Sequence, residues 1–157
     1  PDVRGHAVDI SADALEIAKH NAKANGVSDR LKLSLTDVLR GELAFGNEPL
    51  DMIISNPPYI ETETVGTLEP EVQYEPKLAL DGGEDGLDFY RSIAENYTAA
   101  LKPGGFLCLE FGEYQGDDIC RILEANGYTI LERSRDYNDR ERAVLAQYGR
   151  KDENYGD

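Results

Sequence analysis

Short apolar runs alternate along this chain with segments of helical period, and that alternation restricts the fold more than any other feature. The runs GHAVDI (5–10), RLKLSLTD (30–37), LDMIIS (50–55) and FLCLEF (106–111) read as strands, the first and third as buried ones. Between the first two, Ser11 stands at an N-cap position and Asp13 in the first turn. Ala14, Leu15, Ile17, Ala18 and Ala22 then make an apolar face at helical spacing, closed by Asn25-Gly26. Phe89, Tyr90, Ile93, Ala94, Tyr97, Ala100 and Leu101 predict a second amphipathic helix, stopped by KPGG (102–105). Ile119, Ile122 and Leu123 mark a third, ending at Gly127. YTILER and RAVLAQY close the pattern as two strands separated only by a charged turn, so they should pair antiparallel. Strands alternating with helices imply an α/β domain with a mainly parallel sheet covered on both faces. The expected boundaries are a single domain over 1–148 and a frayed polar tail over 149–157.

The remaining stretches are less regular. A loop rich in Gly and Glu follows the second strand. Residues 61–86 carry no clear period and contain Pro70, Pro76 and DGGEDG; a loop of that length in a compact domain is usually a lid or a binding loop.

Composition narrows the partners. The formal net charge of −15 repels phosphate backbones and argues against nucleic acid as a direct partner. Cys108 and Cys120 make neither a disulfide framework nor a zinc site and read as small buried hydrophobes in a reducing cytoplasm. His6 and His20 are too few for a metal cluster, and no apolar run approaches the length of a membrane span.

In sheets of this kind ligands bind at the carboxyl ends of the strands, which singles out Asp9, Asp37, Asn56 and Glu110. Asp9 either accepts hydrogen bonds from ribose hydroxyls or only helps to cap the helix near Ser11. Asp37 either receives an adenine amino group, with Val38 against the ring, or is a turn former. Glu110 is a rim carboxylate or a charge paired inside the sheet, in a supporting role.

SNPPYI (55–60) differs in kind. Neither proline can donate to a strand ladder, and together they fix the backbone that follows. The residue before a proline is driven to extended geometry. The Asn56 side chain and the Pro57 carbonyl are therefore two rigidly held acceptors, and an –NH2 group has two hydrogens to give them. Held in that way, a planar amide or aryl-amine nitrogen pyramidalises and frees its lone pair. Tyr59 offers a flat face to a planar group. Preorganisation of this sort lowers barriers by several kcal/mol, about 7–11 in the best intramolecular cases. A plain Asn-Pro turn explains one proline well and the full tetrapeptide less well.

Asn56-Pro57-Pro58-Tyr59 after a hydrophobic strand resembles the motif of S-adenosylmethionine-dependent methyltransferases that act on planar –NH2 groups. The flanking text, SNPPYIETE, LEPEVQYEPKLALDGGEDGLDFYRSI, LKPGGFLCLEFG and RDYNDRERAVL, is similar to the PrmC/HemK family of release-factor glutamine methyltransferases over residues 4–148. The resemblance implies a Rossmann-like class I methyltransferase sheet with an antiparallel last strand. It implies methylation of the amide nitrogen of the glutamine in the Gly-Gly-Gln motif of class 1 peptide chain release factors, in the cytoplasm and without a metal. Asp9 would bind the cofactor ribose, Val38 would lie beside the adenine with Asp37 close by, and Asn56, Pro57, Pro58 and Tyr59 would hold the glutamine amide, Asn56 also near the cofactor.

The family's glycine-rich cofactor loop and small N-terminal helical domain have no counterpart in the sequence. A ribose-binding acid lies about 20 residues after such a loop, and counting back from Asp9 passes residue 1. The strand feeding that loop is central in the family fold, between 5–10 and 50–55, so two inner strand edges are expected to lack a partner. The chain is thus expected to be part of a longer protein, rearranged, or paired with another chain. By itself it should bind S-adenosylmethionine weakly and have little activity. Asn138-Asp139, in the turn before RERAVL, is a minor departure. Two other readings use the same residues: a nucleic-acid adenine or cytosine amino-methyltransferase, and an inert interaction module.

Overall fold

The computed structural model describes residues 2–41 and 48–149; the tail KDENYGD and most of the loop rich in Gly and Glu lie outside them. The chain divides into two compact units, Pro1–Glu48 and Pro49–Asp157.

The first unit is a β-α-β arrangement. Strand β1 (Gly5–Asp9) leads into helix α1 (Ala12–Ala24), which returns the chain to β2 (Leu31–Leu35), parallel to β1 in the register Gly5↔Leu31 to Asp9↔Leu35. The helix starts where the sequence signals it: Ser11 is the N-cap, and its Oγ accepts from the Ala14 N–H at 3.2 Å. It ends at Asn25, followed by Gly26 in the left-handed region at φ 65°. Ala14, Leu15 and Ala18 are half-buried and Ala22 is buried, but Ile17 is 64% exposed. At 3.6 residues per turn Ile17 sits roughly a third of a turn from the middle of that stripe, so it does not belong to the face assigned to it from spacing.

The second unit is built on a four-stranded sheet in the order β3–β4–β6–β5. Strand β3 (Leu50–Ser55) runs parallel to β4 (Leu101–Glu110). Strands β5 (Tyr128–Arg135) and β6 (Glu141–Tyr148) pair antiparallel, as the charged turn between them requires, and β6 inserts next to β4. Between β3 and β4 the chain forms α2 (Thr62–Val65), α3 (Pro70–Gln73), a 3-10 turn (Lys77–Ala79) and a continuous helical stretch that begins as α4 (Asp88–Ser92). That stretch widens to π geometry over Ile93–Tyr97 and tightens to 3-10 over Thr98–Ala100. Helix α5 (Gly116–Ala125) links β4 to β5.

The core of this unit follows the two periods. Leu107, Leu109 and Phe111 alternate along β4 and its exit and are fully buried, as are Ile119 and Leu123 one turn apart on α5. Tyr90, Ile93, Ala94, Tyr97 and Leu101 are buried at helical spacing. KPGG does not separate helix from strand as its residues suggest. Leu101 already pairs with Leu50, and Lys102–Gly105 bulge out before Met52 meets Phe106. Gly104 permits this with φ 81°.

Neither β1 nor β3 is the buried strand its apolar run predicts. Among the described residues each has a strand neighbour on one side only, β2 and β4 respectively. Met52 and Ile54 on β3 are exposed, Ile54 to 73%, so cover on both sheet faces is not realised there. The two cysteines are half-buried rather than buried, and burial pushes the Cys120 thiol up. No helix among the described residues is long and apolar enough to cross a membrane.

Candidate functional site

The carboxyl end of β3 is where the second unit concentrates chemistry. Ser55 still pairs with Leu109; the ladder then stops, because two prolines follow. The Asn56 side chain is exposed and has no hydrogen-bond partner among the described residues. Pro57 is buried, and Pro58 and Tyr59 are half-buried. A rigid, anchored pair thus carries an outward-facing carboxamide.

The segment after the prolines is pinned by the glycine-rich loop DGGEDG. Ile60 bridges Asp81 in parallel, donating to the Leu80 carbonyl at 3.0 Å and accepting from the Gly82 N–H at 2.8 Å. Thr62 N–H donates to the Gly83 carbonyl at 2.9 Å. The Asp81 carboxylate locks the same turn, accepting from Thr62 Oγ1 at 2.6 Å and from the Gly83 N–H at 3.1 Å, with Lys77 Nζ at 3.4 Å. These hydrogen bonds hold its carboxyl below the usual value.

The glycines are there for proximity. A Cβ on Gly82 would stand 2.8 Å from both the Pro58 carbonyl oxygen and the Tyr59 Cα, and one on Gly86 would run into the Tyr59 carbonyl oxygen. A Cβ on Gly112 would press on the Tyr59 ring at 3.0 Å.

Two further groups complete the surround. The Gln115 side chain donates through Nε2 to the Tyr59 carbonyl at 3.0 Å and to the Gly86 carbonyl at 3.3 Å, while its Oε1 accepts from the Gly112 N–H at 2.9 Å. Tyr90 is fully buried and donates its hydroxyl to the Glu110 carbonyl at 2.9 Å. Burial, with smaller contributions from Tyr59 and Glu110, raises its ionisation far above the ordinary tyrosine range, so the phenol stays neutral. The Glu110 side chain itself is exposed, a rim carboxylate rather than a charge inside the sheet.

In the first unit, Asp9 and Asp37 both lie at the carboxyl ends of adjacent parallel strands. Asp9 is half-buried; its Oδ1 accepts from the Ser11 N–H at 2.8 Å, and its other oxygen has no partner among the described residues. Asp37 caps the 3-10 turn Val38–Arg40, accepting from the Leu39 N–H at 3.0 Å and pairing with Arg40 at 3.2 Å. Both residues therefore do the local capping and turn work weighed against their ligand roles, and Asp9 keeps one free acceptor.

Comparison with known proteins places this geometry. Residues 1–70 match the methyltransferase small domain family. The release factor glutamine methyltransferase of Clostridium acetobutylicum is 40% identical over 149 residues, 94% of this chain and 52% of that protein. That of Cereibacter sphaeroides is 44% identical over 148 residues, again 94% and 52%. Over nearly its whole length the chain is similar in sequence to release factor glutamine methyltransferases. It spans about half the length of the curated relatives it matches. A methyltransferase from Pyrococcus furiosus superposes with a TM-score of 0.66 at 19% identity, over 93% of this chain and 63% of that one, which shows the class I methyltransferase fold.

Within this methyltransferase fold, sequence reasoning found the residues that face outward and missed those that hold them. Gly82 and Gly86 in DGGEDG were visible as part of a loop, not as a close backbone approach to Tyr59. Gln115 sits 56 residues from Tyr59, and nothing in the local text EYQG announces the contact.

Proposed function

We propose that this chain carries the catalytic domain, residues 1–148, of a cytoplasmic enzyme that methylates the side-chain nitrogen of the glutamine in the Gly-Gly-Gln motif of class 1 peptide chain release factors, with S-adenosylmethionine as methyl donor. The observation that carries this reading is the exit of β3: an exposed, unpaired Asn56 carboxamide on a braced Pro-Pro segment, in a sequence about 40% identical to release factor glutamine methyltransferases.

Asn56 Oδ1 and the Pro57 carbonyl each accept one N–H of the substrate amide, which draws both hydrogens toward fixed points and leaves the nitrogen lone pair directed away from them. The Tyr59 ring covers one face of the planar group. The residues of the first unit fit the donor: Asp9 has an uncommitted carboxylate oxygen for ribose hydroxyls, and Val38 offers an apolar side beside Asp37 for an adenine. When bound, S-adenosylmethionine supplies an electrophilic methyl group on a sulfonium.

The test is transfer of labelled methyl from S-adenosylmethionine to a release factor, to the same factor with its Gly-Gly-Gln glutamine replaced by alanine, and to DNA and RNA. Label should appear only on the intact release factor. Asn56→Ala should lower kcat by about 10²–10³-fold with an unchanged unfolding midpoint. Label on an adenine, or undiminished turnover in Asn56→Ala, refutes the reading.

A further inference from the structure

We propose that Gln115 is a positioning residue of the methyl-transfer site: its side-chain amide fixes the far end of the Asn56–Tyr59 segment and thereby the direction of the two substrate acceptors. The inference rests on the function proposed above and extends it to a residue outside the motif.

Three observations carry it. Gln115 stands at the N-cap of α5, where a polar side chain ordinarily serves the first amides of its own helix, yet it makes no such cap bond. It turns instead to three other segments: the β4 exit at Gly112, the β3 exit at Tyr59, and the glycine loop at Gly86. The donor and acceptor pattern leaves one orientation of the amide, because an N–H faces one end and two carbonyls the other. Second, the backbone is bent to deliver it. Tyr114, immediately before, holds φ 74°, a left-handed conformation that a non-glycine residue seldom adopts, and the residue is 90% exposed. Third, the space is kept open for this group: a Cβ on Gly86 would lie 2.7 Å from Gln115 Nε2, and one on Gly112 3.0 Å from Oε1.

The mechanical consequence follows from the prolines. With φ fixed at Pro57 and Pro58, few torsions remain between Asn56 and Tyr59. Holding the Tyr59 carbonyl removes much of the freedom left to the Pro57 carbonyl and to the Asn56 backbone from which the carboxamide projects. Gln115 touches neither substrate nor donor; it acts through that short rod.

Gln115→Glu keeps an acceptor for Gly112 but sets a carboxylate against two carbonyls, and Gln115→Met keeps the bulk and removes the polar bonds. In the enzyme that carries this domain, both variants should lower kcat by about 10–100-fold while KM for the release factor and the donor Kd stay within about threefold. Amide exchange at Ile60 and Gly82 should quicken by about tenfold. Met serves as the reading if Glu does not fold. Retained kcat in a folded variant, a loss expressed wholly in KM, or unchanged exchange overturns the proposal. If the wild-type enzyme that carries this domain transfers no methyl to a release factor, the functional reading fails, and the exchange measurement still decides whether Gln115 restrains the segment.

Discussion

Gly86 is the position where a single methyl group should do most harm, and Gly127 supplies its control. Both lie in the second unit and both hold left-handed backbone, φ 71° and 83°. A Cβ at Gly127 meets only Tyr148 Cε2 at 3.6 Å, an ordinary contact, whereas at Gly86 it runs into the Tyr59 carbonyl and crowds Gln115 Nε2. Alanine at either site carries the left-handed penalty of about 1–2 kcal/mol. Only Gly86→Ala adds overpacking against backbone, about 1–3 kcal/mol more. The expected costs are therefore about 2–5 kcal/mol at Gly86 and about 1–2 at Gly127. Equilibrium urea unfolding at a common slope reads the difference as a shift in midpoint. Under conditions where both variants are folded, Gly86→Ala should also lose methyl transfer and Gly127→Ala should keep it. Equal destabilisation at the two sites would refute the idea that Gly86 is a glycine for the sake of Tyr59.

Two further outcomes follow from the groups around the site. Tyr90→Phe removes the bond to the Glu110 carbonyl and should cost about 0.5–1.5 kcal/mol in the same unfolding assay. Because the Tyr90 ionisation is raised in the folded state, its neutral form contributes stability in full below the ordinary value of 10.0, and that contribution fades as the pH climbs above it; the phenylalanine variant should therefore lose less stability than wild type in alkaline melts. Asp81 has the opposite sign: its carboxyl is held below the ordinary 3.8, so its contribution is present above that pH and disappears as the pH falls through the lower folded value. Asp81→Asn should be less stable than wild type at neutral pH, with the gap closing in acid; a gap independent of pH would show that the Thr62 and Gly83 bonds do not depend on the charge.

What could be read locally was read from period. The βαβ signal of the first unit, the helix starting at Ser11, and the antiparallel closing pair are each written within a dozen or so residues, where spacing and caps decide. Burial was misjudged for β1 and β3 because an apolar run states what a strand can bury, not whether a neighbour exists to cover it. The helix over 88–100 was found from its buried stripe, but its passage from α through π to 3-10 was not, since each stretch is about one turn long, too short for its own residue period to show in the side-chain pattern. KPGG looked like a stop because proline and glycine usually are one; here Leu101 was already paired and the same residues form a bulge.

The same division runs through the candidate site. Asn56, Pro57, Pro58 and Tyr59 are contiguous, and their chemistry follows from side-chain types and proline geometry alone. Their restraint does not: it comes from Gly82 and Gly86 in one loop and Gln115 in another, brought to the Tyr59 backbone by the fold. A poor nucleophile such as a carboxamide gains rate from acceptors that do not move, so the motif without those contacts would be two prolines and an amide on a strand end. The density of glycine in DGGEDG is the trace this requirement leaves in the sequence, because only a residue without a Cβ lets one backbone come within contact distance of another at Pro58 and Tyr59.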